Sequence, residues 1–558
     1  MLLLALLVVA VLLRTVAALD YGRDWYAPDS FTLINFDEAG SCRAALDGFS
    51  YSPLVGWQTL ALASALGDSP PPGIRGNYAA VKSFCHGERH LTVARLYSAL
   101  SGALTVLALW LLAIQLFPGQ PVVGLLAAAL LAFSGWHISE SLMGTVDAPS
   151  TFFIYAFLAA AVWARRRGGV RWLLAAALLL PALWTKYWVF ALLAAAALLP
   201  ADLYRRLLRG ITRPRLLLLL LAYAALFGLV TNPALPRGAA YLLPLAFYLL
   251  PPWQRMARSG RVACLVAPWL APLALQSDLF LAFSAGGLEG RFGTGYGAIG
   301  WHKPLRNLLN VPLVLLIGLG LPAFLCLLPG LRALWRTATA DRAWLVLLPL
   351  PAFALYLLFL APVTYYRHYL PLLPAACLIA ALGAAQLAPR LRRVAVPLLL
   401  VWQGLLAWDL VTDYRFDPRR ALPAWYAQNR PAQVAASYYV SPPPGSGVRH
   451  RLFRVSDVRG SAARLRQADT LILSENWYDT AFANELNGPW VGDPARLIKT
   501  TPEAVAFYRR ALADEHPLLR QVARLRAPTY MPELLLHRRT YGSFTQFVGD
   551  IVIFRVLP

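Results

Sequence analysis

Cysteine, lysine and acidic side chains are all scarce in this 558-residue chain, and each shortage removes a class of explanation. Five cysteines are too few for a disulfide scaffold. Lysine occurs only at positions 82, 186, 303 and 499, so a lysine beside an apolar segment carries more meaning than usual. Asp and Glu number 28 against 51 Lys and Arg, a formal charge of +23. The chain has no glycine-rich phosphate loop, no zinc-ligand spacing and no internal repeat.

What it has instead is apolar surface. Hydrophobic residues make up 58% of the chain, mean hydropathy is +0.53, and repeated apolar stretches are long enough to cross a hydrocarbon core of about 30 Å. Such spans must be helical, because lipid offers no partner to backbone N–H and C=O groups. The composition predicts a polytopic α-helical membrane protein.

The excess of arginine does not point to nucleic acid, because it sits in short loops between apolar spans, where basic residues report topology. One cluster is Arg165, Arg166, Arg167 and Arg171; others are Arg205, Arg206, Arg209, Arg213 and Arg215, and Arg390, Arg392 and Arg393. Placed in the cytoplasm, they set every crossing. Residues 1–19 cross outward and 20–90 form a large outer loop. Spans near 92–116 and 121–136 follow, then an outer segment 137–147 and a descending span 148–163. The apolar stretch 172–200 is too long for one span and reads as a hairpin turning near Lys186 on the outside. A span near 216–231 follows, and 239–283 reads either as a membrane hairpin or as amphipathic helices on the outer surface. With spans near 308–328, 343–361, 369–388 and 394–410, the count is eleven or thirteen. An odd number leaves the C-terminal end outside.

From about Thr412 charges become frequent and no further stretch could span a bilayer. β-like segments at Gln433–Tyr439, Thr470–Ser474 and Phe547–Arg555 alternate with helix-like ones at Arg419–Gln428 and Pro502–Asp514. The expectation is a membrane domain over 1–411 and a soluble α/β domain over 412–558, outside. Residues 1–19 also resemble a secretory signal peptide ending at Ala17-Ala18, but a basic n-region is lacking and Arg14 interrupts the run, which favours a retained helix. Cys264, Cys326 and Cys377 lie in or beside apolar spans, as packing residues do. Cys42 and Cys85 share the first outer loop and are candidates for a bridge in an oxidising compartment; sequence sets no distance between them.

The acids are placed suggestively. Asp37 and Glu38 sit in a polar stretch of the first outer loop, and Asp147 opens another span on the same side. Several patches recur in a recognisable order: Asn35-Phe36-Asp37-Glu38-Ala39, Tyr51-Ser52-Pro53-Leu54, Ala94-Arg95-Leu96-Tyr97-Ser98-Ala99-Leu100, and His137-Ile138-Ser139 leading into Thr145-Val146-Asp147-Ala148-Pro149. Thr185-Lys186-Tyr187 and Arg367-His368-Tyr369-Leu370-Pro371 complete the set. In these patches the chain resembles the GT-C superfamily of integral-membrane glycosyltransferases that use phospholipid-carrier donors. The likeness is to bacterial families similar to the protein O-mannosyltransferases and the aminoarabinose lipid A transferases. It covers most of the first 200 residues and the Arg367 segment. No Trp-Trp-Asp-Tyr-Gly motif is present, and Asn476-Trp477-Tyr478-Asp479 is a faint echo of it, which argues against en bloc transfer to asparagine. The region 239–283 matches no pattern of the family.

The resemblance implies a GT-C fold in a bacterial inner membrane and an extracytoplasmic active site. It also implies a polyprenyl-phosphate sugar donor and a lipid, glycan or protein acceptor. Such a reaction needs a base for the acceptor hydroxyl and cations for the phosphate leaving group. Asp37 matches the family's acid and would be the base of an inverting transfer, with Glu38 supporting it or orienting the acceptor. Asp147 matches the second acid, although an aspartate there could equally cap its helix. Lys186 is the first choice for the lipid phosphate and Arg367 the second, with His368 beside it; the ordinary readings are snorkelling and interfacial anchoring. Arg95 would join them or pair with an acid. His137 and Glu140 are weaker candidates for acceptor or sugar contacts. No cofactor is demanded; a divalent metal would find ligands in Asp37, Glu38 and Asp147 if these converge. The competing classes are a transporter or flippase for a lipid-linked sugar, whose charges would mark a pathway, and a noncatalytic envelope-assembly subunit.

Overall fold

Apolar composition and the need to close every backbone hydrogen bond within the segment produce a bundle of helices, seen in a computed structural model. It describes residues 1–25, 36–48, 53–187, 302–337, 349–359, 366–437, 446–453, 462–478, 502–541 and 548–558, with a few single positions between them. The bundle helices are α1 (Leu2–Asp20), α2 (Gly40–Asp47), α3 (Pro53–Ala65), α4 (Tyr78–Cys85), α5 (Glu88–Leu116), α6 (Pro121–Ala132), α7 (Gly135–Leu142), α8 (Asp147–Arg167), α9 (Arg171–Trp184), α10 (His302–Leu325), α11 (Leu327–Thr337), α12 (Pro349–Phe359), α13 (Leu372–Ala385) and α14 (Pro389–Arg415). Five helical segments among the described residues are long and apolar enough to cross a bilayer: Leu2–Asp20, Glu88–Leu116, Asp147–Arg167, Leu308–Leu325 and Pro389–Asn429. A sixth is α6 with α7, if that bent pair is one span. The chain is a multi-pass membrane protein. The expected spans at 216–231 and 239–283, with Asn35, Tyr51 and Ser52, lie outside the described residues.

The first loop, 20–90, has its own architecture. A 3₁₀ turn at Phe36–Ala39 leads into α2, and α2, α3 and α4 enclose a small core of Cys42, Leu46, Leu60, Ile74, Val81 and Cys85. A disulfide joins Cys42 to Cys85 with the Cα atoms 5.7 Å apart. Helix α3 crosses α2 at Gly56, where a Cβ would lie 1.9 Å from the carbonyl oxygen of Ser41. Cys326 and Cys377 are buried free thiols.

One stretch differs from its expected form. Residues 137–147, expected from the topology as a short outer loop between two spans, belong mainly to α7, and every residue from Ser134 to Thr151 is buried. Polar residues there serve a bend inside the protein. Helices α6 and α7 meet at 55°, and the turn strips carbonyls at the end of α6 of their helical partners. Arg14 supplies them: its Nη1 donates to Ala132 O at 3.1 Å and its Nη2 to Leu131 O at 3.2 Å. A cation at a helix C-terminus also meets the negative end of the dipole. Arg14 shares the buried face of α1 with Ala10, Ala17 and Ala18, so α1 is part of the bundle core. Ser134 caps the start of α7, accepting from His137 N at 3.4 Å.

Beyond α14, which runs unbroken through the expected boundary at 411/412, come α15 (Leu422–Asn429), β1 (Gln433–Ala436), β2 (Arg449–Leu452), α16 (Ala462–Leu465), β3 (Thr470–Ser474), α17 (Pro502–Leu512), β4 (Leu519–Leu525), α18 (Pro532–Tyr541) and β5 (Ile551–Val556). The strands form one sheet in the order β2-β1-β3-β5-β4. Strand β1 is parallel to β2 and β3, and β5 is antiparallel to β3 and β4. Alternation divides the sheet's two faces: Leu471, Leu473, Val552 and Phe554 pack on one side, Ile472, Ile551 and Ile553 on the other. Met531 and Leu534 instead enter the core of the bundle, so this region is docked on the helices.

If Arg14 satisfies the α6 terminus, Arg14→Leu leaves Ala132 O without a donor, at about 1–3 kcal/mol, while Leu131 O keeps the Ser134 N–H at 3.3 Å. The unfolding midpoint in detergent should fall clearly below that of wild type, and an unchanged midpoint would show that water takes over the role.

Candidate active site

Five segments far apart in sequence bring their charged residues together at one end of the bundle. The 3₁₀ turn at Phe36–Ala39 carries Asp37 and Glu38, the first turns of α5 carry Arg95, α8 opens with Asp147, the turn after α9 carries Lys186 and Tyr187, and a 3₁₀ turn at Tyr366–Tyr369 carries Arg367. The Arg165–Arg167 cluster closes α8, whose 21 residues put it about 30 Å from Asp147 at 1.5 Å per residue.

The two neighbouring acids of the first loop do different work. Glu38 is buried, and its carboxylate receives Arg95 Nε at 2.8 Å and Nη2 at 3.0 Å, a two-pronged pair, with Gly144 N donating at 3.1 Å. Arg95, 1% exposed, spends a further N–H on Tyr21 O at 2.7 Å and stacks on the Phe31 ring at 4.7 Å. Arg95 is thus engaged with Glu38 instead of standing ready for a phosphate. Together they lock the first loop to α5 and to the α7–α8 turn. Asp37 points elsewhere: its Oδ2 lies 2.5 Å from Arg367 Nη2, and its side chain remains 12% exposed.

Asp147 is fully buried and does not cap α8, whose N-cap is Val146 with no side-chain hydrogen bond. Its Oδ1 accepts from Lys186 Nζ at 2.8 Å and lies 2.5 Å from the hydroxyl of Tyr187. That hydroxyl also lies 2.7 Å from Arg367 O, so one phenol ties the Asp147–Lys186 pair to the turn that holds the Asp37–Arg367 pair. The Lys186 side chain keeps 20% exposure, and its backbone N–H is fixed by Ser150 Oγ at 3.1 Å. Within this cluster Asp37 and Lys186 are the two charges that a ligand can reach, while Glu38, Arg95 and Asp147 are sealed.

Glu140 and His137, the weaker candidates, part company. Glu140 is wholly buried with Asp147, Arg367, Tyr366 and Lys186 around it, and neither carboxylate oxygen has a hydrogen bond of ordinary length. His137 belongs to the α6–α7 bend: its Nδ1 accepts from Arg14 Nη2 at 3.0 Å, which leaves the proton on Nε2. His368 is half-buried beside Arg367. Among the described residues no three His, Cys, Asp or Glu side chains gather in a metal-binding arrangement. Asp37, Glu38 and Asp147 each face a different basic partner, so the convergence that a metal would require of them is not seen. Tyr187 has no role that sequence patterning could assign; its one signal is adjacency to Lys186.

No family model and no curated protein matches this chain. Among solved structures it is similar to the apo oligosaccharyltransferase of Archaeoglobus fulgidus, at 12% identity over 99% of this chain and 88% of that one, TM-score 0.45. It is similar as well to ArnT from Cupriavidus metallidurans bound to undecaprenyl phosphate, at 14% identity over 99% and 97%, TM-score 0.41. A third is the mycobacterial arabinofuranosyltransferase AftD, at 13% identity over 99% of this chain and 40% of that one, TM-score 0.36. Likenesses this distant transfer no residue role.

Buried and exposed members of the cluster should respond differently to substitution. Arg95→Met strands the Glu38 carboxylate and is expected to destabilise by about 3–5 kcal/mol. Asp37→Asn keeps an amide oxygen that can still accept from Arg367, so it should cost less, about 1–3 kcal/mol. Thermal unfolding of the two proteins in one detergent compares them, and equal losses would contradict the division.

Proposed function

We propose that this chain is a membrane glycosyltransferase that moves a sugar from a polyprenyl-phosphate donor to an acceptor hydroxyl on a lipid, glycan or protein, at the extracytoplasmic face of a bacterial inner membrane. The observation that carries the reading is the pairing of one reachable acid, Asp37, with reachable or near-surface cations, Lys186 and Arg367, in a cluster otherwise closed. The order of sequence patches around these same residues supports it.

The chemistry assigns each group a task. The bond from the anomeric carbon to the phosphate oxygen breaks as a bond from the acceptor oxygen forms on the opposite face, inverting the centre. The acceptor proton passes to Asp37, and the phosphate leaves with its charge met by Lys186 and by the planar fork of Arg367. Before donor binds, Arg367 holds the Asp37 carboxylate. A phosphate that takes the guanidinium releases Asp37 to act as base, so the base is unmasked when there is a donor to attack. Asp147 and Tyr187 hold Lys186 and the Arg367 turn in place, and Glu38 with Arg95 fixes the loop from which Asp37 projects. Glu140, wholly buried beside Asp147, Arg367 and Lys186, contributes a carboxyl group behind the two cations.

Purified wild type in nanodiscs, given radiolabelled polyprenyl-phosphate sugars and membrane extract as acceptor, should release sugar from the carrier. Asp37→Asn should slow that release about 10²- to 10⁴-fold, the worth of a general base, while carrier binding persists. Lys186→Gln should raise KM for the donor about 10- to 100-fold, as loss of one charged hydrogen bond does. Carrier binding without turnover across the whole panel would favour a transporter or an assembly subunit.

A further inference from the structure

Helix α10 is broken in the middle, and the groups that repair it come from two directions. Gly320 has φ 69° and ψ 157°, a conformation that glycine takes readily, and Pro322 follows two residues later. Proline has no N–H for the carbonyl four residues earlier, so Gly318 O is orphaned, and the turn at Gly320 takes Leu321 N out of the helical ladder. Lipid satisfies neither group.

Gly318 O accepts from Ser134 Oγ at 2.8 Å and from Gln403 Nε2 at 2.6 Å. Ser134 is the cap of α7, the helix that carries Glu140 and leads into Asp147. Leu321 N donates to Glu533 Oε1 at 2.8 Å, and the same oxygen accepts from Trp402 Nε1 at 2.7 Å. Glu533 stands in the first turn of α18, 3% exposed. The chain just before it is clamped to α14, because Asp409 Oδ2 accepts from Tyr530 N at 2.9 Å and Met531 N at 2.6 Å. A Cβ at Gly318 would fall 2.6 Å from Leu373 on α13 and 2.9 Å from Trp136 on α7. The break thus presses on the two helices whose ends hold the site, since the turn bearing Arg367 precedes α13.

We propose that Glu533 is a positioning residue for the Asp37–Asp147 cluster, acting from the C-terminal region through the α10 break and the Ser134 cap of α7. One hydrogen bond joins Glu533 to Leu321, the backbone of the broken turn leads from there to Gly318, and a second hydrogen bond enters α7 at Ser134. The carboxylate does this with Oε1 alone; Oε2 is buried without a partner. Glutamine therefore keeps both acceptances and alanine keeps neither.

Amide hydrogen exchange of the full chain in nanodiscs tests the coupling without reference to activity. Glu533→Ala should speed exchange over 318–323 and also over 134–147, by roughly tenfold, the scale of one buried hydrogen bond to a charged group. Glu533→Gln should leave both segments close to wild type. If alanine prevents folding, Trp402→Phe removes one of the carboxylate's two donors and should give a smaller change in the same segments. Faster exchange confined to 318–323, with 134–147 unmoved, overturns the proposal. A second arm rests on the glycosyl-transfer reading: Glu533→Ala should lower kcat with donor KM held within about twofold, and glutamine should restore it, as loss of a group acting only on transition-state geometry requires. No transfer by wild type would count against that reading and leave the exchange result to stand alone.

Discussion

A helix broken within a bilayer leaves amide and carbonyl groups that the surrounding lipid cannot satisfy, and two breaks of this kind organise the described bundle. One separates α6 from α7 and the other divides α10 at Gly320. Both are filled by polar side chains reaching from other elements: Arg14 from α1, Ser134 and Gln403 from within the bundle, and Glu533 from the helix between β4 and β5. Because each repair crosses between elements, the breaks act as joints that fix neighbouring helices to one another. The bend at Ser134 turns α7 so that Glu140 and the start of α8 face the charged cluster.

Charge is distributed in that cluster according to depth. The deepest pair, Glu38 with Arg95, is closed by a two-pronged contact and a backbone amide, an arrangement in which the hydrogen bonds offset the desolvation of both ions. The other two pairs, Asp37 with Arg367 and Asp147 with Lys186, each keep one member partly exposed, Asp37 at 12% and Lys186 at 20%. The sealed pair meanwhile fixes the loop from which Asp37 projects.

The C-terminal region is tied into this arrangement. Its sheet has two cores of its own, yet Met531 and Leu534 pack in the membrane bundle and Glu533 ends on a membrane helix. The sheet also explains which strands can be read from sequence. Strands β1, β3 and β5 lie at its centre, are largely buried and were legible as apolar segments. Strands β2 and β4 are its edges, where half-exposed, arginine-bearing sequences such as Arg449–Leu452 look like loop; charge on an edge is what discourages further pairing.

Composition alone determined that the chain crosses a membrane, because apolar length maps directly onto helices where no other backbone partner exists; the described helices α1, α5, α8 and α14 follow those segments closely. Residue type and common sidedness also singled out Asp37, Asp147, Lys186 and Arg367. What sequence could not decide is who faces whom. Asp37 and Glu38 are adjacent and chemically alike, and only the turn at Phe36–Ala39 sends one to Arg367 and the other to Arg95. Topology made 137–147 a loop between two spans, whereas its side chains serve a bend and a buried cluster. Arg14, Tyr187 and Glu533 owe their roles to contacts across 117, 40 and 212 residues of chain. Distances of that kind are set by packing, and no local pattern encodes them.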